Sequence, residues 1–286
     1  MIQVITTIWG DKYSSAYVNG LFRAIKEHAS EPLKLICMAE DTSMDFDDDI
    51  EVIQLSDLGR PFEEMKEGCR LKLNIFRTEV LDLDAPALFF DLDTAVIGDI
   101  AVLAEQVRND PRLYMLRNHL LPHWRFRWLM KLIKSQPYYY FGNASVIGFV
   151  PRQFLGALDE FREGCEIVDK GCDNPRFIKA HASDERFACY YARDHMQPFP
   201  SDLANKFSAE FMWPSKAINF FTVVINPFSS KRRKPVAITF DGDPFHPFTL
   251  SKLKEGQLIR HKYHLALWNF PIFQKYWRRV IGDLNN

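Results

Sequence analysis

Residues 87–100 read ALFFDLDTAVIGDI, and this stretch decides how the chain is interpreted. It begins with a short apolar run after Pro86, a pattern that is typical of a buried strand. Asp91 and Asp93 follow at once, and side chains at positions i and i+2 of an extended segment project to the same side. In α/β sheets, ligands bind beyond the carboxyl ends of the strands. The stretch therefore favours a site for Mg²⁺ or Mn²⁺, which prefer oxygen ligands, over the alternative of a structural turn.

The surrounding sequence alternates between strand and helix patterns. Short apolar or β-branched runs predict strands at 2–8, 33–38 and 50–55. Apolar residues at helical spacing follow Ser14, and a second apolar helical face covers residues 71–80. The β-α-β-β-α-β order predicts an α/β fold with a mostly parallel sheet. The less regular second half predicts strands at 113–116, 144–150, 223–225 and 236–240, and helices at 153–161, 184–192 and 273–281.

The D-x-D pattern is short, and its surroundings separate its occurrences. It recurs at 47–49, in an acidic loop, at 82–84, at the polar end of a predicted helix, and at 241–243. Of the first three matches, 91–93 is the one that directly follows an apolar strand at the edge where ligands are expected. Asp241 also ends an apolar strand and is a candidate third carboxylate ligand. From the residues alone, an Asp-Gly turn is the simpler interpretation of that position.

Composition and charge describe an ordinary globular protein. The 286 residues are 47% hydrophobic and include 36 basic and 37 acidic residues, which excludes disorder and a histone-like binder. The first residues lack a basic region and a long apolar run, so no signal peptide is predicted, and no run reaches the ~18 apolar residues of a membrane span. The 5 cysteines form no C-x-x-C pair, which argues against disulfides and thiolate zinc sites. These features predict a cytoplasmic protein.

Common nucleotide and hydrolase motifs are absent from the sequence. There is no G-x-G-x-x-G, G-x-x-x-x-G-K-[ST], H-E-x-x-H or G-x-S-x-G. A Rossmann dinucleotide site and a P-loop are therefore disfavoured. A bound nucleotide would therefore need another phosphate-binding site. Asp91 and Asp93 with a bound cation are the candidate for it.

These residues resemble the core of GT-A fold glycosyltransferases, and most of all the retaining glycosyltransferase family 8 and its bacterial relatives. The similarity rests on RLKLNIF at 70–76, on the D-x-D stretch at 87–100 and on WGDKY at 9–13 after the first strand. FGNASVIGF at 141–149 and the segment 236–244 are similar to later blocks of the family. The resemblance implies a nucleotide-diphospho-sugar transferase fold, in which one Rossmann-like mixed sheet is flanked by helices.

The resemblance also implies a division of the chain. A catalytic domain would cover residues 1–245, with a nucleotide-sugar half at about 1–110 and an acceptor half at about 111–245. Residues 246–286 would form a C-terminal helical extension.

The implied activity is that of a metal-dependent hexosyltransferase. It would move a sugar from a nucleotide sugar, by analogy a UDP-sugar, to a saccharide or lipid-linked acceptor, with either retention or inversion at the sugar. Asp91, Leu92 and Asp93 would contact the donor, with Mn²⁺ or Mg²⁺ on the two carboxylates. Asp241 stands where the family usually has a histidine ligand, and it is a harder ligand that remains competent.

Further donor contacts are implied near the start of the chain. Thr6, Thr7 and Tyr13 are candidates to meet the base and ribose, with the Tyr13 ring stacking. Arg70 and Lys72 are candidates to meet phosphate. Solvated charges on a helix are an equally good interpretation of these two residues.

Candidate residues for the transferred sugar come later in the chain. Asn143 is a candidate hydrogen-bond partner of the sugar, and its N-glycosylation triplet is disfavoured because the strand is predicted to be buried. Asp184 and Glu185 resemble the family's D-Q or D-E pair, in which a carboxylate faces the sugar. If the reaction inverts the sugar, one of them is the candidate base. A helix N-cap is the alternative role for Asp184.

Two long stretches contain no acidic residue. Residues 111–158 carry only basic charges, and 120–141 is predicted to be a basic amphipathic helix that contacts an anionic membrane or simply covers the core. Residues 211–240 include the basic tetrad 231–234, for which phosphate or headgroup contact and a surface loop are equally compatible with the sequence.

The sequence is also compatible with other functions. A sugar-phosphate nucleotidyltransferase is disfavoured because residues 9–13 contain one glycine where such enzymes have a glycine-rich basic loop. A catalytically degenerate GT-A fold that binds a glycan or a partner remains compatible with Asp241 in place of histidine. Nucleic-acid binding is disfavoured because the tetrad 231–234 lacks interleaved aromatic residues.

Overall fold

The computed structural model describes residues 1–118, 121, 124–133, 136–213, 235–240, 245–261 and 264–282. Within these ranges the strands are β1 (Ile2–Ile8), β2 (Leu33–Ala39), β3 (Ile50–Gln54), β4 (Ala87–Phe90), β5 (Thr94–Val96), β6 (Leu113–Arg117), β7 (Gly142–Phe149), β8 (Met196–Pro198), β9 (Ala204–Lys206), β10 (Ala237–Thr239), β11 (Leu258–His261) and β12 (His264–Leu267). The α-helices are α1 (Ser15–His28), α2 (Phe62–Lys66), α3 (Ala101–Asn109), α4 (Ala157–Asp169), α5 (Pro175–Ala180), α6 (Asp184–Tyr191), α7 (Phe207–Glu210), α8 (Pro247–Lys252) and α9 (Pro271–Gly282). The 3₁₀ helices are η1 (Glu67–Phe76), η2 (Thr78–Val80), η3 (Trp124–Leu132) and η4 (Pro151–Phe154).

The central sheet has the strand order β3-β2-β1-β4-β7-β6-β8. The four strands from β3 to β4 run parallel, whereas β7 is antiparallel to both of its neighbours. The predicted α/β class with one mixed sheet between helices is therefore confirmed. A smaller sheet in the order β5-β10-β9 and the hairpin β11-β12 complete the described strands.

Apolar layers cover both faces of the central sheet. All seven residues of β1 are buried, and they alternate between two apolar clusters, with Val4 in one and Ile5 in the other. The first cluster includes α1 and α9, and the second includes η1, α4 and α6. A strand buried on both faces is a nearly continuous apolar run, which is why β1 and β4 were recognisable from the sequence.

Residues 71–80 do not form the predicted single helix. Near the start of η1, Gly68 and Cys69 have positive φ angles of 59° and 57° and interrupt the helical conformation, and η1 ends at Phe76. The Asn74 side-chain amide accepts from the Ser56 N–H at 2.8 Å and donates to the Ser56 carbonyl at 3.0 Å, which ties η1 to the segment after β3. The apolar side chains of this segment are buried as expected, but in a compact 3₁₀ turn.

The helix predicted at 153–161 has different bounds in the structure. Gly156 has a φ of 85° and stands before α4, which therefore begins at Ala157. A left-handed residue cannot continue an α-helix, so the predicted helix divides into η4 and α4. The strand predicted at 223–225 lies outside the described residues, as do the tetrad 231–234 and Asp241.

The C-terminal segment packs into the core. It contains the hairpin β11-β12 between α8 and α9, where the sequence predicted a helical extension. In β11 the exposure of the side chains alternates with a period of two, as in a strand with one buried face, with Leu258 exposed and Ile259 buried. Helix α9 lies so close to α1 that a Cβ on Gly20 would stand 2.8 Å from the Val280 Cγ1 atom. Among the described residues, none of the helices has the length and apolar character needed to span a bilayer.

Candidate functional site

A cavity of about 320 Å³ opens at the carboxyl ends of β1 and β4. These strands are parallel neighbours, so the residues that follow each of them meet at one edge of the sheet. The lining residues are Thr7, Ile8, Trp9, Lys12, Tyr13, Cys69, Lys72, Asp91, Leu92 and Asp93. Six of the residues predicted from the sequence therefore lie together, namely Thr7, Tyr13, Lys72, Asp91, Leu92 and Asp93.

Backbone hydrogen bonds fix the turn that carries the two aspartates. The Asp91 N–H donates to the Ser145 carbonyl of β7 at 2.9 Å, and the Thr94 N–H donates to the Asp91 carbonyl at 3.0 Å. After this turn, β5 joins the smaller sheet, where the Phe240 N–H donates to the Asp93 carbonyl at 2.9 Å. Phe240 is the residue before Asp241, so the end of β10 is anchored beside the turn.

Lys72 lies between two aspartates. Its Nζ atom is 2.8 Å from Asp91 Oδ1 and 3.4 Å from Asp184 Oδ2, and the residue is only 7% exposed. Burial lowers the pKa of Lys72, but the two carboxylates outweigh burial and hold the pKa above its ordinary value. The ammonium therefore stays charged and joins the cavity to the start of α6.

The surroundings of Asp184 and Asp93 disfavour the charged form of both carboxylates. Burial raises the pKa of Asp184 to about 7, with Lys72 opposing the shift and Glu185 adding to it. The Asp184 Oδ2 atom accepts no hydrogen bond from the described residues. Burial and the charge of Asp91 also raise the pKa of Asp93, whose Oδ1 atom accepts a bond from the Thr239 hydroxyl at 3.3 Å.

Glu185 and Asn143 form a second group beside the cavity. The Glu185 carboxylate accepts hydrogen bonds from the Tyr140 hydroxyl, from Asn143 Nδ2 at 2.8 Å and from the Ala144 N–H at 3.4 Å. Both oxygens are thereby held in place. Ser183 is the N-cap of α6 and accepts from the Arg186 N–H at 3.4 Å. The alternative role of Asp184 as the helix cap is therefore wrong.

The structure places Thr6 and Arg70 outside the cavity lining. Thr6 is fully buried, and its hydroxyl donates to the Phe90 carbonyl at 2.8 Å, where it ties β1 to β4. The Arg70 guanidinium donates to the Glu64 carboxylate at 3.3 Å and to the Glu67 carbonyl at 3.2 Å. Both side chains thus hold neighbouring elements together.

Tyr13 contacts a histidine, His246, that no motif in the sequence marks as a site residue. The Tyr13 and His246 rings stack with centroids 5.4 Å apart and an angle of 6°. Burial, Asp93 and Asp91 raise the pKa of Tyr13, so its hydroxyl stays protonated. His246 accepts from the Phe248 N–H at 3.3 Å and caps α8. The sequence does carry one signal for this cap. Pro247 suits the first position of a helix, which makes the preceding His246 the N-cap position.

Gly68 allows η1 to approach the residues that precede Asp184. A Cβ at this position would lie 2.1 Å from the Ala182 carbonyl oxygen and 3.0 Å from the Ser183 Cα. Gly68 also has a φ of 59°, which glycine adopts without strain. This glycine therefore permits both the backbone turn and the close approach that place Lys72 and Asp184 together.

The chemistry of Asp91 and Asp93 fits a divalent cation. Both are hard oxygen donors in one cavity wall. Burial and, after it, the charge of Asp91 raise the pKa of Asp93, and a bound cation would stabilise the two carboxylates as anions. Among the residues that the structure describes, no three His, Cys, Asp or Glu side chains form a metal-binding group. The predicted third ligand, Asp241, lies outside those residues.

Known structures share the fold of this chain. A galactosyltransferase, LgtC, solved with donor and acceptor sugar analogues, has a TM-score of 0.57 and 12% identity over 97% of this chain and 95% of its own. The glycosyltransferase GlyE of Streptococcus pneumoniae has a TM-score of 0.55 and 10% identity over 99% of this chain. The bifunctional glycosyltransferase WbbM has a TM-score of 0.54 and 12% identity over 85% of this chain.

These comparisons concern the fold. The chain spans 63% of GlyE and 46% of WbbM, less than two thirds of each. No protein-family model matches the chain, and no curated protein matches it by sequence. The chain has the GT-A glycosyltransferase fold, as the resemblance of its sequence motifs implied.

Proposed function

We propose that this protein is a glycosyltransferase that moves a sugar from a UDP-sugar to a saccharide acceptor in the cytoplasm. One observation carries the proposal. This chain has a GT-A fold, and the wall of its cavity at the carboxyl ends of β1 and β4 contains Asp91, Asp93 and Lys72. This is the edge where α/β sheets bind ligands, and a diphosphate needs both cations and polar groups there. LgtC, which has the same fold, was solved with donor and acceptor sugar analogues.

The proposed metal is Mn²⁺ or Mg²⁺. Asp91 and Asp93 would hold it, with Asp241 as the third protein ligand. When bound, such an ion neutralises the charge that develops on the departing diphosphate. Support comes from the oxygen donors themselves and from the repulsion between two neighbouring carboxylates.

The residues of the chain would act through position and charge. Lys72 orients Asp91 and Asp184 because it contacts both carboxylates in a buried setting. Tyr13 offers a protonated hydroxyl and an aromatic ring to the nucleotide. Glu185 is fixed by donors from Tyr140 and Asn143, and it would face the transferred sugar. Retention requires no strong base, whereas inversion would assign proton removal to Asp184 or Glu185.

A screen of UDP release across nucleotide sugars, with and without Mn²⁺, tests this proposal. We expect one donor to be hydrolysed in a Mn²⁺-dependent manner. Asp91→Ala should reduce kcat/KM by about 100-fold or more, the scale on which removal of one stabilising group acts. The matched control is Asp84→Ala, because residues 82–84 repeat the D-L-D sequence and Asp84 pairs only with the exposed Arg152 among its described contacts. Equal turnover in all three proteins would contradict the proposal.

A glycan-binding protein without turnover is the second candidate. It is favoured by the ion pair in which Lys72 already neutralises Asp91, the first proposed metal ligand. Calorimetry and the UDP-release assay distinguish the two, since such a protein would bind a glycan without Mn²⁺ and would release no UDP from any UDP-sugar.

We also propose peripheral contact with an anionic membrane, as would suit a lipid-linked acceptor. Exposed apolar residues lie on η3, where Phe126, Trp128 and Leu132 are 45%, 57% and 68% exposed. They alternate with the basic residues of the acid-free stretch, a combination that favours an anionic interface. The tetrad 231–234 is the second proposed contact.

A further inference from the structure

A second cavity, of about 400 Å³, lies between η3 and α5. Its lining residues are Met130, Lys131, Ile133, Gln136, Pro137, Tyr138, Asn174, Pro175, Arg176 and Lys179. Three of them are basic, and no acidic residue belongs to the described lining. The charge of this wall therefore favours an anionic ligand.

One wall of this second cavity combines an aromatic ring with a guanidinium group. The Arg176 guanidinium lies 5.3 Å from the Tyr138 ring centroid, and Tyr138 is 38% exposed. Such a pair offers a sugar an apolar ring face and offers a phosphate the two parallel donors of arginine. The neighbouring Tyr139 hydroxyl donates to the Arg176 carbonyl at 2.6 Å, which fixes the aromatic segment to α5.

The second cavity is connected to the candidate active site by a short stretch of chain. Tyr138 lines the cavity, whereas Tyr140 donates to Glu185. Two residues of extended chain span at most about 7 Å. Arg186 strengthens this connection, since its guanidinium lies 5.5 Å from the Tyr140 ring and donates to the Gln136 side chain at 3.5 Å.

We propose that the second cavity binds the acceptor through a phosphate group carried on its sugar. The inference rests on the proposed function, because it assigns the acceptor side of the same transfer reaction. Lys131, Arg176 and Lys179 would contact the phosphate, and Tyr138 would pack against the sugar ring. The acceptor hydroxyl would then extend toward Glu185. The phosphate belongs either to a free sugar phosphate or to a lipid-linked one, and the two share this recognition chemistry.

Binding of glucose 6-phosphate, with glucose as the neutral comparison, tests the proposal by calorimetry. We expect the phosphate ester to bind more tightly than glucose. The double variant Lys131→Gln/Arg176→Gln should weaken that binding by about tenfold or more, equivalent to about 1.4 kcal/mol per tenfold. The control Arg152→Gln/Lys170→Gln removes the same charge from exposed sites elsewhere and should bind as wild type. Arg176→Lys should retain part of the affinity, since it keeps the charge without the planar fork.

Two further measurements are needed. One distinguishes a free phosphate from a lipid-linked one, and the other separates failure of this inference from failure of the proposed function. If glucose 6-phosphate does not bind but soluble short-chain phosphatidylglycerol does, and only the cavity variant loses it, the phosphate is that of a lipid. If neither probe distinguishes the cavity variant from its control, the inference is overturned. UDP-sugar hydrolysis without acceptor should be unchanged in the cavity variant. If the wild-type protein hydrolyses no UDP-sugar but still binds the phosphate probe, the proposed function is contradicted and the binding site in the second cavity is supported.

Discussion

Lys72 is a buried cation whose two partners are carboxylates. Removing one member of such a group leaves uncompensated charge in a poorly solvated place, which typically costs about 3–5 kcal/mol. We expect Lys72→Met to lower the free energy of unfolding by this amount at pH 8, measured by urea denaturation with a chelator present. The loss should shrink toward pH 5, because Asp184, whose pKa burial raises to about 7, can then take up a proton.

Lys34→Met is the matched control for Lys72. Lys34 pairs with Glu51 at 2.9 Å, but their side chains are 31% and 47% exposed. Pairs of this kind contribute about 0–1 kcal/mol. If both methionine variants lose equally little stability, then Lys72 is not the electrostatic centre of the cluster.

The raised pKa of Asp184 has a consequence for the pH dependence of stability. Burial raises this pKa from 3.8 to about 7. Between those values the native protein holds a proton that the unfolded chain has lost, so stability falls as pH rises from about 4 to about 7. We expect Asp184→Asn to remove this fall, by up to about 4 kcal/mol at about 1.36 kcal/mol per pKa unit.

Chemical denaturation of the metal-free protein at several pH values measures this effect. Asp48→Asn, at an exposed carboxylate, should leave the wild-type slope unchanged. A wild-type slope that persists in Asp184→Asn would assign it to other groups.

Single residues also show what the sequence could and could not predict. Asp91 and Asp93 were recognisable because their chemistry and their strand are contiguous in the chain. The contact of Lys72 with Asp184 was not recognisable, since it depends on the packing of η1 against α6. The charged residues Arg70 and Lys72 looked equivalent in sequence, and only packing directs one to Glu64 and the other to Asp91.

At the scale of elements, Gly68 controls how closely η1 approaches the start of α6. Gly68→Ala would add a left-handed strain of about 1–2 kcal/mol and an overlap with the Ala182 carbonyl, where the added Cβ would stand 2.1 Å away. We expect a loss of more than about 3 kcal/mol in unfolding experiments, at the high end for single substitutions. Because Lys72 and Asp184 would separate, affinity for UDP-sugar should fall as well.

Gly171→Ala is the matched control, because it introduces left-handed backbone strain without a steric overlap. Gly171 has a φ of 94°, and an added Cβ would meet nothing within 4 Å. This variant should lose only about 1–2 kcal/mol and keep its affinity for the donor. Similar losses at both glycines would show that the approach of η1 to residues 182–183 is not tight.

The elements divide into those that a local pattern specifies and those that it does not. The buried strands β1 and β4 appear at their predicted positions because each is an apolar run on both faces of the sheet. The predicted helix at 71–80 becomes η1 and η2, and the Asn74 side chain ties η1 to Ser56, a contact distant in sequence. Similarly, the alternating burial in β11 is produced by tertiary packing, so no local pattern predicted the hairpin β11-β12.

For the molecule as a whole, the C-terminal segment shares one core with the nucleotide half. Trp277 is 1% exposed and lies in the same apolar cluster as β1 and α1. The Tyr276 hydroxyl also donates to the Thr94 carbonyl, directly after Asp93, at 3.2 Å. We expect Trp277→Ala to cost about 3–5 kcal/mol. Far-UV circular dichroism and protection by UDP-sugar should report a single shared transition.

Trp213→Ala is the control for the tryptophan substitution. Trp213 is 61% exposed, so its removal should change stability by less than about 1 kcal/mol. Separate transitions for the C-terminal segment and the nucleotide site in Trp277→Ala would support the division of the chain at residue 245.

The net charge of −1 averages over unlike surfaces. The acidic residues of the site lie at one sheet edge, whereas residues 111–158 carry only basic charges beside the exposed apolar residues of η3. An anionic interface would attract this surface by charge and retain it by burial of its aromatic side chains. The protein should therefore sediment with phosphatidylglycerol vesicles, lose that binding in high salt, and bind neutral phosphatidylcholine vesicles weakly.

Replacement of Trp128 tests whether η3 makes this contact. We expect Trp128→Ser to reduce partitioning onto phosphatidylglycerol vesicles by about tenfold, since burying one aromatic side chain contributes about 1.5–3 kcal/mol. Ile167→Ser changes another apolar side chain, 50% exposed, that lies outside residues 111–158, and it should leave partitioning unchanged. If both variants bind like wild type while salt still releases the protein, the contact is electrostatic and lies elsewhere, with the tetrad 231–234 as the segment to substitute next.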